Sequence, residues 1–327
     1  MPQLKKLYVP AITSIVCFSL LSIVQLKVDP PMLLAERFFI GFGWLQIIIM
    51  SILGGILVLK MSNPEKTKRW RTISWTIFSI VFFIQLGLGI AGFEDFLMTG
   101  KLHFPIPALI PGGALYRMEF GFMPILFAIT VLLTGPAWCS QLCYFGALDN
   151  LSASIKSKKL KSKKQKLLLT KNVSLVVFIV FVLALRFFDL PLKTIIIIAS
   201  AFGIIGFFVI LIFSTQKGKM THCIYYCPLG TILNYSRYIN PFRMYIDNNC
   251  TECMACTSSC KYQALEKENI LNRKPGLTCT MCGDCINSCP TNSIKYKFFK
   301  LSPEKARNLY LIITISVYVV FLNVARI

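Results

Sequence analysis

Acidic residues are scarce: 14 Asp and Glu stand against 35 Lys and Arg in a chain of 327 residues, and charged side chains of both signs reach only 15%. Soluble globular chains carry about 25%. With 55% apolar residues and a mean hydropathy of +0.63, the composition excludes a soluble enzyme. Histidine is rarer still, with His103 and His222 the only two. They fall on opposite faces of the bilayer in the topology derived below, which excludes a haem held between two internal histidines. No P-loop occurs, and the one GxGxxG string, Gly87 to Gly92, closes a long apolar run rather than a strand-to-helix turn, so neither motif points to a bound nucleotide. The first apolar run ends without an Ala-x-Ala cleavage site and is too long for a signal-peptide core. It is expected to stay as an uncleaved anchor.

What is present is long apolar sequence. Spanning a bilayer takes roughly 20 apolar residues, and seven stretches meet or approach that length: about Leu7–Leu26, Phe38–Leu59, Thr72–Phe93, Phe120–Trp138, Val173–Phe188, Thr194–Phe213 and Leu309–Ala325. Positive charge collects in two of the connecting loops. Lys60, Lys66, Lys68, Arg69 and Arg71 lie between the second and third spans; Lys156, Lys158, Lys159, Lys161, Lys163, Lys164, Lys166 and Lys171 lie between the fourth and fifth. Both loops belong in the cytoplasm, as do Lys5 and Lys6. The loops near Asp29–Arg37, Phe93–Arg117 and Asp189–Lys193 are nearly balanced and belong outside. One topology fits every loop: a multi-pass protein of the cell inner membrane, N-terminus in and C-terminus out. The positive-inside bias accounts for much of the net charge of +21, so no nucleic-acid partner is expected.

Cysteine is abundant, and eight of the 13 fall between Cys250 and Cys289. Cys250-x2-Cys253-x2-Cys256-x3-Cys260 is followed by Cys279-x2-Cys282-x2-Cys285-x3-Cys289-Pro290. In this run three thiolates serve one cubane and the fourth reaches the other. The crossed assignment puts Cys250, Cys253, Cys256 and Cys289 on one [4Fe-4S] cluster, and Cys279, Cys282, Cys285 and Cys260 on a second. Two zinc sites are the alternative, but those usually use separated Cys-x2-Cys pairs. The segment resembles the bacterial two-cluster ferredoxin, which implies electron transfer. Its first copy ends Cys260-Lys261 where that pattern has Cys-Pro. Alternation predicts short strands at Arg243–Asp247 and Ile294–Phe299. The fold expected is mainly α, with about seven polytopic membrane helices and a cytoplasmic α+β ferredoxin-like insert. Its divisions are a membrane domain (1–214), a linker (215–242), the two-cluster domain (243–300) and a C-terminal membrane helix (301–327).

Four more cysteines form a second repeat. Cys139, Cys143, Gly146, Asn150 and Ser152 recur in the same spacing as Cys223, Cys227, Gly230, Asn234 and Ser236, which points to an internal duplication. Thiols four apart on a helical turn share a face, and each pair supplies half a tetrathiolate shell. Cys139, Cys143, Cys223 and Cys227 are therefore expected to hold one additional iron-sulfur cluster. Two inert buried thiol pairs are the alternative, and a reducing cytosol disfavours disulfides. Cys17 stands alone in the first span as a packing residue.

Membrane helices, Cys-x3-Cys-Pro-x-Gly after one of them (Cys223 to Gly230, with Pro228) and the two-cluster segment together resemble the NapH and NosR group of membrane-bound polyferredoxins, over roughly Phe120–Phe299. That resemblance implies an electron-transfer subunit of a membrane oxidoreductase rather than a complete enzyme. It would relay electrons between its ferredoxin domain and quinone or redox partner subunits. A factor that matures a respiratory enzyme by reducing a metal or thiol is the alternative. With every recognised ligand on one side of a core about 30 Å thick, electrons that cross need a second carrier. Glu94, Asp95 and His103, in an outer loop of prolines and apolar residues, are the candidates for binding a quinone headgroup; an ordinary solvated loop is the alternative. The Lys156–Lys166 run sets topology and touches anionic membrane lipid. Docking a soluble acidic electron carrier is its sharper use.

Overall fold

A computed structural model describes residues 4–29, 31–93, 96, 106–118, 121–155 and 164–324. In chain order it has α1 (Leu4–Lys27), α2 (Leu34–Phe38), α3 (Phe42–Ser62), α4 (Pro64–Ile90), α5 (Leu109–Arg117), α6 (Phe122–Thr134), α7 (Trp138–Gln141), α8 (Tyr144–Ile155), α9 (Lys164–Phe187), α10 (Leu192–Val209), α11 (Thr215–Lys217), α12 (Pro228–Tyr235), β1 (Phe242–Ile246), α13 (Ala255–Ser259), α14 (Lys267–Leu271), β2 (Ile294–Phe298) and α15 (Pro303–Val324). Two π-helical turns, Ile210–Ser214 and His222–Tyr226, bracket the region between α10 and α12. β1 and β2 form a two-stranded sheet.

Among the described residues seven helical stretches are long and apolar enough to cross a membrane: Leu7–Lys27, Phe42–Ser62, Pro64–Ile90, Pro124–Ile155, Leu167–Phe187, Lys193–Lys217 and Pro303–Val324. Their outer faces carry apolar side chains that water would not tolerate in such number, among them Ile15, Ile49, Ile84, Val180 and Ile197. The third, fifth and seventh spans start well before their apolar runs do. Asn63 caps α4 by accepting from the Glu65 N–H at 3.0 Å, and Pro64 fills the first helical position. Lys66, Lys68, Arg69 and Arg71, expected in a loop, therefore lie within α4, and Arg71 is buried above the Trp75 ring. Lys171, expected in the next basic loop, lies within α9 and is likewise buried.

The chain divides into two compact units, residues 1–103 with 296–327, and 104–295. In the first, α1 packs along α3 and α15, and α3 along α4. Polar contacts tie α15 in place: the Tyr318 hydroxyl donates to the Ser74 carbonyl at 2.8 Å, the Gln46 amide to Asn323 Oδ1 at 2.6 Å, and Arg307 to the Met61 carbonyl and Thr67 hydroxyl. Cys17 is buried here against Ser316.

The second unit carries the remaining 12 cysteines. Its fourth span is not one straight helix. Gly135 takes φ +56, and a Cβ there would meet Asn240 Cγ at 2.8 Å. The Asn240 amide donates to the Leu132 and Leu133 carbonyls, at 2.9 and 3.3 Å. It thereby satisfies carbonyls that the end of α6 leaves open and turns the chain into the short helices that bear Cys139 and Cys143. Residues 215–242 include α11, the second π turn and α12, and α12 lies against α9.

Candidate functional site

The ferredoxin segment repeats its backbone as well as its cysteines. Glu252 and Met281 both have positive φ (56 and 55), as do Met254 and Gly283 (61 and 81) and Gln263 and Asn292 (56 and 50). Each pair occupies equivalent places in the two copies. Left-handed conformations at residues other than glycine cost about 1–3 kcal/mol and persist where the surroundings over-determine them, commonly at ligand clamps. The first two pairs lie inside the Cys-x2-Cys loops, and the third lies just past the last cysteine of each copy.

The sulfurs converge in the crossed pattern. Cys285 lies within electrostatic reach of Cys282, Cys260 and Cys279, and these four line one cavity. Cys256 lies within reach of Cys289, Cys250 and Cys253. Burial pushes the thiols of Cys279 and Cys256 up to about 11 and that of Cys285 well above its ordinary value, because an apolar wall disfavours bare thiolate. Burial also opposes the Cys289 thiolate. Hydrogen bonds from the Thr291 hydroxyl and the Ser293 N–H nevertheless hold that group below the usual thiol value. Four sulfurs around an apolar hollow fit a metal cluster, whose positive charge offsets what burial costs the thiolates.

The helix-end pairs are also duplicated in three dimensions. Cys143 and Cys227 each immediately precede a helix, α8 and α12. Each sulfur accepts from a backbone N–H three residues on, Gly146 and Gly230, both at 3.4 Å. A thiolate so placed receives an N-terminal hydrogen bond and the favourable end of the helix dipole. Gly230 is required by close approach: a Cβ would lie 2.9 Å from the Cys223 carbonyl. The expected single helical turn per pair is not what forms. The chain breaks after α7 in the first copy and after a π turn in the second, a geometry frequent at functional sites.

The structure brings Cys139, Cys143, Cys223 and Cys227 together. Cys223 is within electrostatic reach of Cys143, Cys139 and Cys227, and Cys139 of Cys143 and Cys227. Lys171 faces Cys139, Cys227 and Cys223 with 1% of its surface exposed, and no described carboxylate forms an ion pair with it. A cation so buried is costly without a negative partner, and clustered thiolates are one. Asp149 adds a second brace: its Oδ2 accepts from the Cys223 N–H at 2.9 Å. Together with His222 and Cys223 it forms a group whose ligand atoms lie within 4.8 Å of one another.

Residues 118–163 and 199–243 match the family model of a 4Fe-4S binding domain. Each matched segment holds one helix-end pair, and neither reaches the eight-cysteine run. Two uncharacterized proteins of Methanocaldococcus jannaschii are similar to the chain. One is 23% identical over 250 residues, 72% of this chain and 97% of the relative; the other is 24% identical over 255 residues, 74% and 92%. No solved structure matches.

Sequence reasoning missed Lys171, Lys261, Tyr262 and Asp149. Lys171 was hidden among topology-setting lysines. Lys261 stood where a proline was expected, a visible departure whose use shows only in space: its ammonium reaches the Asn150 carbonyl and Oδ1 at 2.8 and 3.0 Å and the Ser154 hydroxyl at 2.5 Å. Nothing in the sequence links Asp149 to Cys223. Glu94, Asp95 and His103 lie outside the described residues.

Proposed function

We propose that this protein is a membrane-bound iron-sulfur electron-transfer subunit with three centres: two [4Fe-4S] clusters in the ferredoxin segment and one more between the helix-end pairs. The observation that carries this reading is the convergence of 12 cysteines as three groups of four, one of them inside segments that match a 4Fe-4S binding domain. Cys250, Cys253, Cys256 and Cys289 would hold the first centre, Cys260, Cys279, Cys282 and Cys285 the second, and Cys139, Cys143, Cys223 and Cys227 the third. Iron-sulfur clusters exchange single electrons. The chain's own part is to supply thiolates, to donate N–H bonds to the sulfurs and to exclude water. Lys171 supplies a positive charge beside the third group.

The basic loops support a cytoplasmic N-terminus and ferredoxin segment in an inner membrane, with quinone or a partner redox subunit as the exchange partner. This finer reading follows the resemblance to the NapH and NosR polyferredoxins. The test is to purify the protein with its partners and count iron. Dithionite-reduced clusters that a quinone analogue rapidly reoxidises mark the relay. Clusters indifferent to quinone, in cells whose respiratory enzyme lacks its metal when this protein is deleted, mark a maturation factor instead. Iron at or below about eight atoms per chain, the content of two cubanes, removes the third centre.

A further inference from the structure

The second ferredoxin cavity and the helix-end cavity have a wall in common. Cys260, Cys279, Cys282 and Cys285 line the first, Cys139 and Cys223 line the other, and Tyr262 and Thr280 line both. Both wall residues are buried, at 5% and 2% exposure. Each bonds to the Cys139–Cys143 segment while adjoining a ferredoxin thiol in sequence. The Tyr262 hydroxyl donates to the Cys139 carbonyl at 3.5 Å, and the Ser140 hydroxyl donates to the Thr280 carbonyl at 3.3 Å. Thr280 follows Cys279, and Tyr262 follows Cys260 by two positions.

A strap of three residues fastens this wall. The Lys261 ammonium holds Asn150 and Ser154 of α8, the Lys261 carbonyl accepts from the Met220 N–H at 3.2 Å, and Gln263 Oε1 accepts from the Tyr225 hydroxyl at 3.0 Å. Proline, the residue the ferredoxin pattern has at position 261, has no ammonium to make the first of these contacts. The group of Cys250, Cys253, Cys256 and Cys289 differs on both counts. None of its sulfurs lines either cavity, and Cys253 is exposed.

We propose that the Lys261–Gln263 strap and Thr280 make the second ferredoxin site the direct neighbour of the helix-end site, leaving the Cys250 group as the port toward an external redox partner. The proposal rests on the three-centre reading and adds the spatial order of the centres. Were clusters held by both groups of thiolates, one electron would leave one of them and enter the other. No bond is made or broken and no proton moves; dithionite is the reductant in the test.

The experiment uses the full-length protein in detergent, reduced with dithionite and frozen for electron paramagnetic resonance. The expected helix-end signal is broadened and fast-relaxing through its reduced neighbour. Cys282→Ala, which removes a second-site sulfur, should abolish that broadening, whereas Cys253→Ala at the outer site should leave it. Tyr262→Leu and Lys261→Met remove no ligand, so they should retain full iron and weaken the coupling. Broadening that survives Cys282→Ala or disappears in Cys253→Ala overturns the order, and so does coupling unchanged in both Tyr262→Leu and Lys261→Met. Iron no higher than about eight atoms fails this proposal and the third centre together. A third centre present but uncoupled fails this proposal alone.

Discussion

The ferredoxin segment and the helix-end pairs both gather sulfur, by opposite means. In the ferredoxin segment, ligands close in sequence are wrapped by a few left-handed residues, and one thiol, Cys253, is exposed. At the helix ends, two pairs distant in sequence meet between apolar helices, braced by a buried lysine and a buried aspartate. A local site carries its geometry in its own loops and needs little else. A split site depends on the helices that bring its halves together, so its supporting residues are scattered and its charge must be balanced from within.

That contrast can be broken most severely at the local site. Cys285 lies at the centre of the second ferredoxin group, buried and within reach of the other three sulfurs. Cys285→Ser should remove that cluster's iron and destabilise the segment, because loss of a structural metal belongs among the largest effects of a single substitution. Iron content and the visible absorption of the purified variant measure it. Retention of the full absorption would contradict Cys285 as a ligand of that cluster.

A smaller and more selective effect is expected at the split site. Cys143→Ser and Cys227→Ser occupy equivalent positions, each accepting a Gly N–H at 3.4 Å. Each should remove only the iron above about eight atoms per chain, with the ferredoxin signals intact. The two variants should match one another. If either keeps its full iron, the helix-end cysteines are packing residues and the duplication has no chemical role.

The same contrast explains what could be read before the structure. Seven spans, two strands and both cysteine repeats were legible, because apolar runs and ligand spacings are local properties. The starts of α4 and α9 were not. Hydropathy cannot see Asn63 capping a helix of basic residues, nor the burial of Arg71 and Lys171 within the membrane-spanning stretches. The break after Thr134 depends on Asn240, a partner remote in sequence. Lys261 was visible as a departure from the Cys-Pro pattern, but its attachment to Asn150 and Ser154 depends on the docking of one region against another.

Lys171 sharpens the comparison because the buried cation beside the local site, Lys219 near Cys260, is paired with Glu266 at 3.2 Å, whereas Lys171 has no described carboxylate partner. A positive charge beside the helix-end sulfurs favours the reduced, more negative state, so Lys171→Met should lower the midpoint potential of that centre. A tenfold change in a one-electron equilibrium is about 59 mV, and a shift of at least that order is expected in a redox titration. Lys171→Arg, which keeps the charge, should restore most of it. Equal potentials in wild type and Lys171→Met would make the lysine a packing element only.

The smallest effect is expected at the rim of the ferredoxin segment, where Lys295 pairs with Asp247 beside the β1–β2 sheet. The hydrogen bond from Lys295 holds the Asp247 carboxyl below the usual carboxylate range. A group depressed in this way contributes its stability above the unfolded-chain value of about 3.9 and loses it as pH falls through the lower folded value. Asp247→Asn should therefore cost little at neutral pH, since ion pairs at the protein surface contribute weakly, and the difference from wild type should shrink as acid protonates the carboxyl. Thermal unfolding monitored by cluster absorption at pH 7 and near pH 3 checks both points. A large loss at neutral pH would mean that the local site leans on its flanking sheet, and that its independence from distant support is less than its loops imply.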